Sequence, residues 1–266
     1  MKKILSVLLA LVMVVGLCAC QSSDNAWWTY SLKDLSTAAY RANRGSYRSS
    51  YDRKEKFEEA LAQEGIVGLN IATRADCLED DVVEYLATLA ERTVLTVELG
   101  LQTSNDESAA RINRGHDFAT FVTGYHALRA ASPDIHICVH LIFGLPGEDE
   151  ETMMRTVREV AVLHPEQVKL HLLHVIKDTP MAEMYMRGDY TPMTMPDYVR
   201  AVAKALTLLP PDTVIARLTG DGAPEALLAP DWSRKKTAVV NDVDKYLYQN
   251  DLYQGKYYKA EDDYVC

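Results

Sequence analysis

From residue 66 onward, short apolar runs alternate with amphipathic stretches, and this alternation restricts the fold more than any other feature of the chain. Such a repeat argues for parallel strands joined by crossover helices. The apolar runs predict strands at 66–73, 94–102, 135–143, 167–175 and 213–219. The periodic segments predict helices at 79–91, 117–131, 149–164, 195–208 and 234–248, and residues 52–63 also have helical character. Asp149 stands where a helix N-cap belongs, and Pro196 where a first helical turn accepts proline. The pattern is that of an α/β fold, most of a βα barrel or an open sheet, with about five parallel strands and outer helices. Composition agrees, since 266 residues with 48% hydrophobic and 25% charged suit a globular chain. The formal net charge of −10 argues against a protein that coats nucleic acid, so no DNA binding is expected.

Within the strands, one face is apolar and the other polar. Leu95, Val97, Leu99 and Leu101 alternate with Thr96, Glu98, Gly100 and Gln102. Ile135, Ile137, Val139 and Leu141 alternate in the same way with His136, Cys138 and His140. Asn70 opposes Leu69 and Ile71, and Lys169 and His171 alternate with leucines. Parallel strands packed on both sides usually read as continuous apolar runs, so a polar inner face predicts a cavity for a polar ligand, or else a hydrogen-bonded interior. His171 and His174, three apart, are expected on opposite faces, which argues against a shared metal.

The amino terminus reads as an export signal. Met1, Lys2 and Lys3 supply the positive end, Ile4 to Leu17 an uncharged apolar run too short to span a bilayer, and Leu17-Cys18-Ala19-Cys20 a lipobox-like end. Residues 1–20 are therefore expected to be a lipoprotein-type signal with Cys20 lipidated at the membrane, residues 21–50 a tether, 51–243 the partial barrel and 244–266 a Tyr-rich acidic tail. The five cysteines, Cys18, Cys20, Cys77, Cys138 and Cys266, are too scattered for a disulfide scaffold.

Two turns add candidate ligand contacts: Phe143-Gly144-Leu145-Pro146-Gly147-Glu148 after the third strand, and the charged Asn113-Arg114-Gly115-His116-Asp117 at a helix start. The segments Val97 to Thr103, Ile112 to Phe118, His140 to Glu148, Lys169 to Val175 and Arg217 to Gly222 together resemble the core of the YhcC-like radical SAM proteins, from about Tyr40 to about Val243. The resemblance implies a partial or full barrel that binds S-adenosylmethionine beside a [4Fe-4S] cluster. It further implies that Gln102 contacts the methionine part of the cofactor and Arg114 its carboxylate. By the same resemblance, His140 is implied to take a ribose-contacting position and Ile142 with Gly144, Leu145 and Pro146 to line the adenine, and Glu98 is counted in the cofactor-binding set.

Against this stands the absence of Cys-x-x-x-Cys-x-x-Cys, the loop whose three thiolates hold three irons of the cluster. Ala72 and Ala75 also stand where relatives carry Gly and Pro. The expectation is a chain open where the first barrel units are missing, a fusion or truncation that cannot ligate the cluster alone, unless a partner supplies those units. An export signal and a cytoplasmic family give opposing locations. Two alternatives stay open: a non-catalytic exported lipoprotein binding a solute or partner, and a metal-dependent hydrolase using His136, Cys138 and His140, with Glu98 a further candidate ligand.

Overall fold

The structure, a computed structural model, describes residues 50–220, 222 and 224–260. The signal, Cys18, the expected lipidation site Cys20, residues 21–49 of the tether and Cys266 lie outside the described residues. Among the described residues, no helix is long and apolar enough to cross a membrane.

After α1 (Ser50–Leu61), the strands β1 (Gly68–Thr73), β2 (Val94–Gln102), β3 (Ile135–Phe143), β4 (Gln167–Leu172) and β6 (Val214–Arg217) form one parallel sheet in that order. The connections carry α2 (Asp80–Ala90), α3 (Asp106–Arg111), α4 (Phe118–Ala131), α5 (Glu150–Leu163), α6 (Pro180–Arg187) and α7 (Met195–Leu208). β5 (Val175–Ile176) and β7 (Leu227–Ala229) form a small antiparallel pair, and α8 (Lys236–Gln249) follows. This is the partial barrel of about five strands that the alternation predicts. The chain divides into two compact units, one running to Gly100 and including Ile112–Cys138, the other made of Leu101–Arg111 and everything from Val139 on.

In the first unit, β1 pairs with β2 so that Leu69 lies opposite Leu95 and Ile71 opposite Val97, all buried. A Cβ on Gly68 would stand 2.7 Å from the Val94 carbonyl oxygen, so the pairing requires glycine where β1 begins. α2 buries Val83, Leu86 and Leu89. α4 buries Phe121, Tyr125 and Leu128, and starts where Asp117 accepts a bond from the Thr120 amide. Midway along α4, Gly124 lies against the 3₁₀ turn Ala75–Cys77, where an added Cβ would come 3.0 Å from that of Ala75. Arg92 grips Glu58 of α1 through two bonds of 2.6 and 2.7 Å, an exposed pair that adds little stability.

In the second unit, Asp149 caps α5 by accepting from the Thr152 amide, and Thr194 caps α7 with Pro196 in its first turn. α7 buries eight residues, among them Tyr198, Ala201, Val202 and Ala205, in keeping with its place beside α5 and α8. Glu150 at the start of α5 receives Arg200 and Lys204 of α7. Two features differ from the sequence expectation. The strand expected over 167–175 stops at Leu172, because the Leu173 amide turns to the Phe143 carbonyl at 3.0 Å and Val175–Ile176 pairs with β7. α3 and α6 are additional helices, too short to show an apolar period, although α6 carries its signals in Thr179, Pro180 and Gly188. The helix expected over 234–248 is α8, and the chain after it docks through the Gly255 and Tyr257 amides on the Leu206 and Thr207 carbonyls.

An exposed mid-helix glycine replaced by alanine gains about 1 kcal/mol of helix propensity. At Gly124 the contact with Ala75 reverses the sign for any larger residue. Gly124→Val is expected to lower unfolding free energy by about 1–3 kcal/mol, measured by urea denaturation; a variant as stable as the parent would show that α4 does not press on this turn.

Candidate functional site

The first unit gathers charge at the end of β1. The strand leads through Arg74 into Ala75–Cys77, and Arg74 pairs with Asp76 through Nε at 2.9 Å and through a second guanidinium nitrogen. The turn before α4 holds Asn113 and Gly115 at φ of 52° and 89°, in the left-handed region. This sharp reversal sets Gly115 on the Arg74 guanidinium, where a Cβ would lie 3.3 Å from a terminal nitrogen. It also aims Arg114 at the Gly100 carbonyl on β2, to which the guanidinium donates a hydrogen bond. Burial, followed by the charge of Arg74, lowers the Arg114 pKa to about 10, so Arg114 remains a cation at neutral pH. Burial, with the Arg114 charge second, also holds His116 below the ordinary imidazole range. Its Nδ1 lies 3.1 Å from the Asp117 carbonyl, and its buried Nε2 has no hydrogen-bond partner. Arg74 and Arg114 thus bring two guanidiniums to one partly desolvated place, a group able to bind an anion.

The second unit ties its turns together through polar side chains. Gln102 closes β2 at φ 77°, so strand alternation no longer sets its side-chain direction. Thr103 donates to Glu148 at 2.6 Å, and Thr156 joins Thr103 and Ser104. Burial raises the Glu148 pKa against the hydrogen bonds from Thr103 and Ser108. Arg111 donates to the Pro146 carbonyl at 2.7 Å, and Tyr190 donates to that of Gly144 at 2.7 Å. Ile142, Gly144, Leu145 and Pro146 are all buried. The glycines of this turn make room for the protein's own side chains, as an added Cβ would meet Met193 at Gly144 and Arg111 at Gly147.

Near the ends of β4 and β6 lies a set of imidazoles. The His140 and His171 rings stand 5.3 Å apart. A Cβ on Gly220 would come 3.3 Å from His171 Nδ1 and 3.2 Å from His174 Cε1, and one on Gly222 3.5 Å from His174 Cγ. The expectation that His171 and His174 face apart is therefore corrected: β4 ends between them, strand alternation lapses, and both rings reach Gly220. His171 Nε2 and His174 Nε2 are buried without a hydrogen-bond partner. Each such atom costs about 1–3 kcal/mol if left so. Burial first, with His140, Arg217, Lys169 and His174 adding, brings His171 down to about 3. Burial and then Lys236 bring His174 down to about 4. The grouping was hidden in the sequence, where only Gly220 and Gly222 hint at close approach.

Of the sequence candidates, Glu98 and Arg114 lie in the first unit, and Gln102, His140, Ile142, Gly144, Leu145 and Pro146 in the second. Glu98 is 3% exposed on β2, amid buried neighbours on both sides of the strand. The polar face of β3 is not uniform: His136 is exposed, Cys138 fully buried and His140 between. Among the described residues, no three His, Cys, Asp or Glu side chains are grouped to hold a metal, which leaves the His136, Cys138 and His140 set, with or without Glu98, without a formed centre. Cys77 and Cys138 are free thiols, one partly exposed on the 3₁₀ turn and one within β3. These donors do not fit a [4Fe-4S] cluster, which takes three thiolates from one short loop.

Comparison with known proteins bears on these arrangements. Residues 45–160 match the Radical SAM superfamily, and residues 165–249 the radical SAM C-terminal domain. YtqA of Bacillus subtilis is 46% identical over 206 residues, covering 77% of this chain and 63% of YtqA. The archaeal Elp3 structure from Methanocaldococcus infernus shares the fold, with a TM-score of 0.60 at 22% identity over 71% of this chain and 43% of that one. The chain thus spans about two thirds of the curated relatives it matches. YhcC of Escherichia coli is 30% identical over 80% of this chain and 69% of its own length, and on that match the chain belongs to the radical SAM superfamily, in the YhcC-like group.

Proposed function

We propose that this chain is a YhcC-like radical SAM protein that binds S-adenosylmethionine and does not hold a [4Fe-4S] cluster with its own residues. The observation that carries the reading is the pair of part-buried guanidiniums, Arg74 and Arg114, that the first unit sets at the end of β1. A guanidinium in such a place recognises a carboxylate, the group that an amino-acid-like cofactor presents. In this reading Arg114 of the first unit binds the cofactor carboxylate, with Glu98 of the same unit as a further polar contact, while Gln102, His140, Ile142, Gly144, Leu145 and Pro146 remain separate candidates of the second unit. Gly144 and its neighbours are covered by Met193 and Tyr190, so binding there requires that cover to shift. Cluster thiolates come from outside these 266 residues, on a partner carrying further barrel units, and no radical step is assigned to this chain alone. His171 and His174 are neutral at pH 7 and act through hydrogen bonds rather than as charges.

Anaerobic reconstitution of the full chain is expected to give no stoichiometric iron. About four irons and four sulfides per chain would overturn the cluster half of the proposal. Calorimetric titration should show S-adenosylmethionine binding that Arg114→Ala weakens by about tenfold to a hundredfold, the loss of one charged hydrogen bond. Absence of binding to the parent chain would reject the reading, and equal binding by the variant would reject the role of Arg114.

The imidazoles make a separate prediction. Their folded pKa values, about 3 and 4, lie below the ordinary 6.5, so the unfolded chain takes up protons first as pH falls. Stability from this source is complete above about pH 6.5 and is lost toward pH 3, with a slope of up to about 1.4 kcal/mol per pH unit for each ring. Urea unfolding across pH 7 to 4 should show this slope, and His171→Asn should reduce it. A slope that the substitution leaves unchanged would place the titration elsewhere.

A further inference from the structure

We propose that residues 188–194 form a strap that opens as one piece from the Gly144 turn and gates a ligand's access to it. The strap runs between two fixed points of the second unit. Gly188, in the left-handed region at φ 81°, closes α6, and Thr194 caps α7. Between them, Tyr190 donates to the Gly144 carbonyl at 2.7 Å, and Trp232, on the 3₁₀ turn Asp231–Arg234, donates from its indole to the Met193 carbonyl at 3.1 Å. Among the described residues, the bond from Trp232 is the only hydrogen bond made by the backbone of residues 190–193. A segment without regular structure, tied by two side chains, belongs to the low-stability end of a fold. What holds it is firm by contrast. Trp232 packs on Tyr198 with ring centroids 5.6 Å apart, and Tyr198, fully buried in α7, packs on Phe143 of β3 at 6.4 Å.

The strap covers the carboxyl end of β3, on the side of a parallel sheet where ligands bind. The Gly144 carbonyl takes the Tyr190 hydroxyl, and the open face of Gly144 takes Met193, since an added Cβ would stand 3.0 Å from Met193 Cγ and 3.7 Å from the Tyr190 oxygen. Closed, the strap keeps that acceptor and the buried Leu145 and Pro146 from a ligand. Opening exchanges two neutral hydrogen bonds for bonds to water and bares one aromatic ring and one thioether. A ligand that needs the open form then binds more weakly in proportion to the fraction that is open. Gly188 and Thr194 stand at element ends, where a change of backbone dihedral is absorbed. The proposal rests on the Gly144 turn being a cofactor contact and deepens that reading by naming what controls entry.

The test has two arms, both on the full chain. The first follows deuterium exchange of the Trp232 indole N–H by ¹⁵N NMR, the signal being the one lost in Trp232→Phe. Tyr190→Phe removes the other fastener and keeps the ring. It is expected to raise the indole exchange rate by about threefold to tenfold, the loss of one neutral hydrogen bond. An unchanged rate would show that the two fasteners open separately, and the strap would fall as a unit. The second arm is calorimetric titration with S-adenosylmethionine. Tyr190→Phe is expected to tighten binding by the same factor. Met193→Ala, which keeps both fasteners and clears the side chain from Gly144, should tighten it as well, with the circular dichroism of the parent. If the parent binds in an Arg114-dependent way and neither variant binds more tightly, the gate falls and the cofactor reading stands. If no chain binds S-adenosylmethionine, both fall.

Discussion

Polar groups buried at the carboxyl ends of the strands must find hydrogen-bond partners, and much of the local architecture answers that requirement. Arg114 reaches the Gly100 carbonyl, Arg111 the Pro146 carbonyl and Tyr190 that of Gly144. Thr103, Ser104, Thr156 and Glu148 satisfy one another, and Tyr198 donates to the Leu218 carbonyl. These bonds hold turns that would otherwise expose backbone carbonyls to the interior. Against such pairing, Nε2 of His116, of His171 and of His174 is buried without a hydrogen-bond partner.

Apolar periodicity made the main strands and longer helices legible, because burial of Leu95, Val97, Ile137, Val139 and Leu170 depends on side-chain spacing that any sequence displays. Local chemistry served equally well where a single side chain decides, as at the Asp149 cap. The reading failed where backbone geometry changes along a strand. Alternation assumes extended φ, yet Gln102 is left-handed and β4 ends at Leu172, so the facing of Gln102, His171 and His174 cannot be deduced by counting. Glycine was ambiguous for a related reason. It marks close approach without naming what approaches, and at Gly144 and Gly147 the neighbours are Met193 and Arg111.

Membership of a family and possession of its cofactor chemistry rest on different residues. The match to the superfamily runs through strands and helices whose apolar spacing is a packing requirement. Cluster ligation needs three thiolates free to converge, and neither described thiol meets that need. Cys138 is fully buried in β3, and Cys77 sits on a turn beside the Arg74 and Asp76 pair with no second cysteine near it in sequence. On the proposed reading, such a chain keeps the fold of the family while the two described thiols leave the iron unheld.

The guanidinium and imidazole groups differ in the physics of recognition. Arg74 and Arg114 carry net charge, so they attract anions of many shapes at a distance, and added salt screens that attraction. His171 and His174, neutral at pH 7, act as dipoles whose hydrogen bonds weaken steeply with misalignment and depend little on ionic strength. Burial is what keeps the imidazoles neutral, and the same burial makes each unpaired N–H costly.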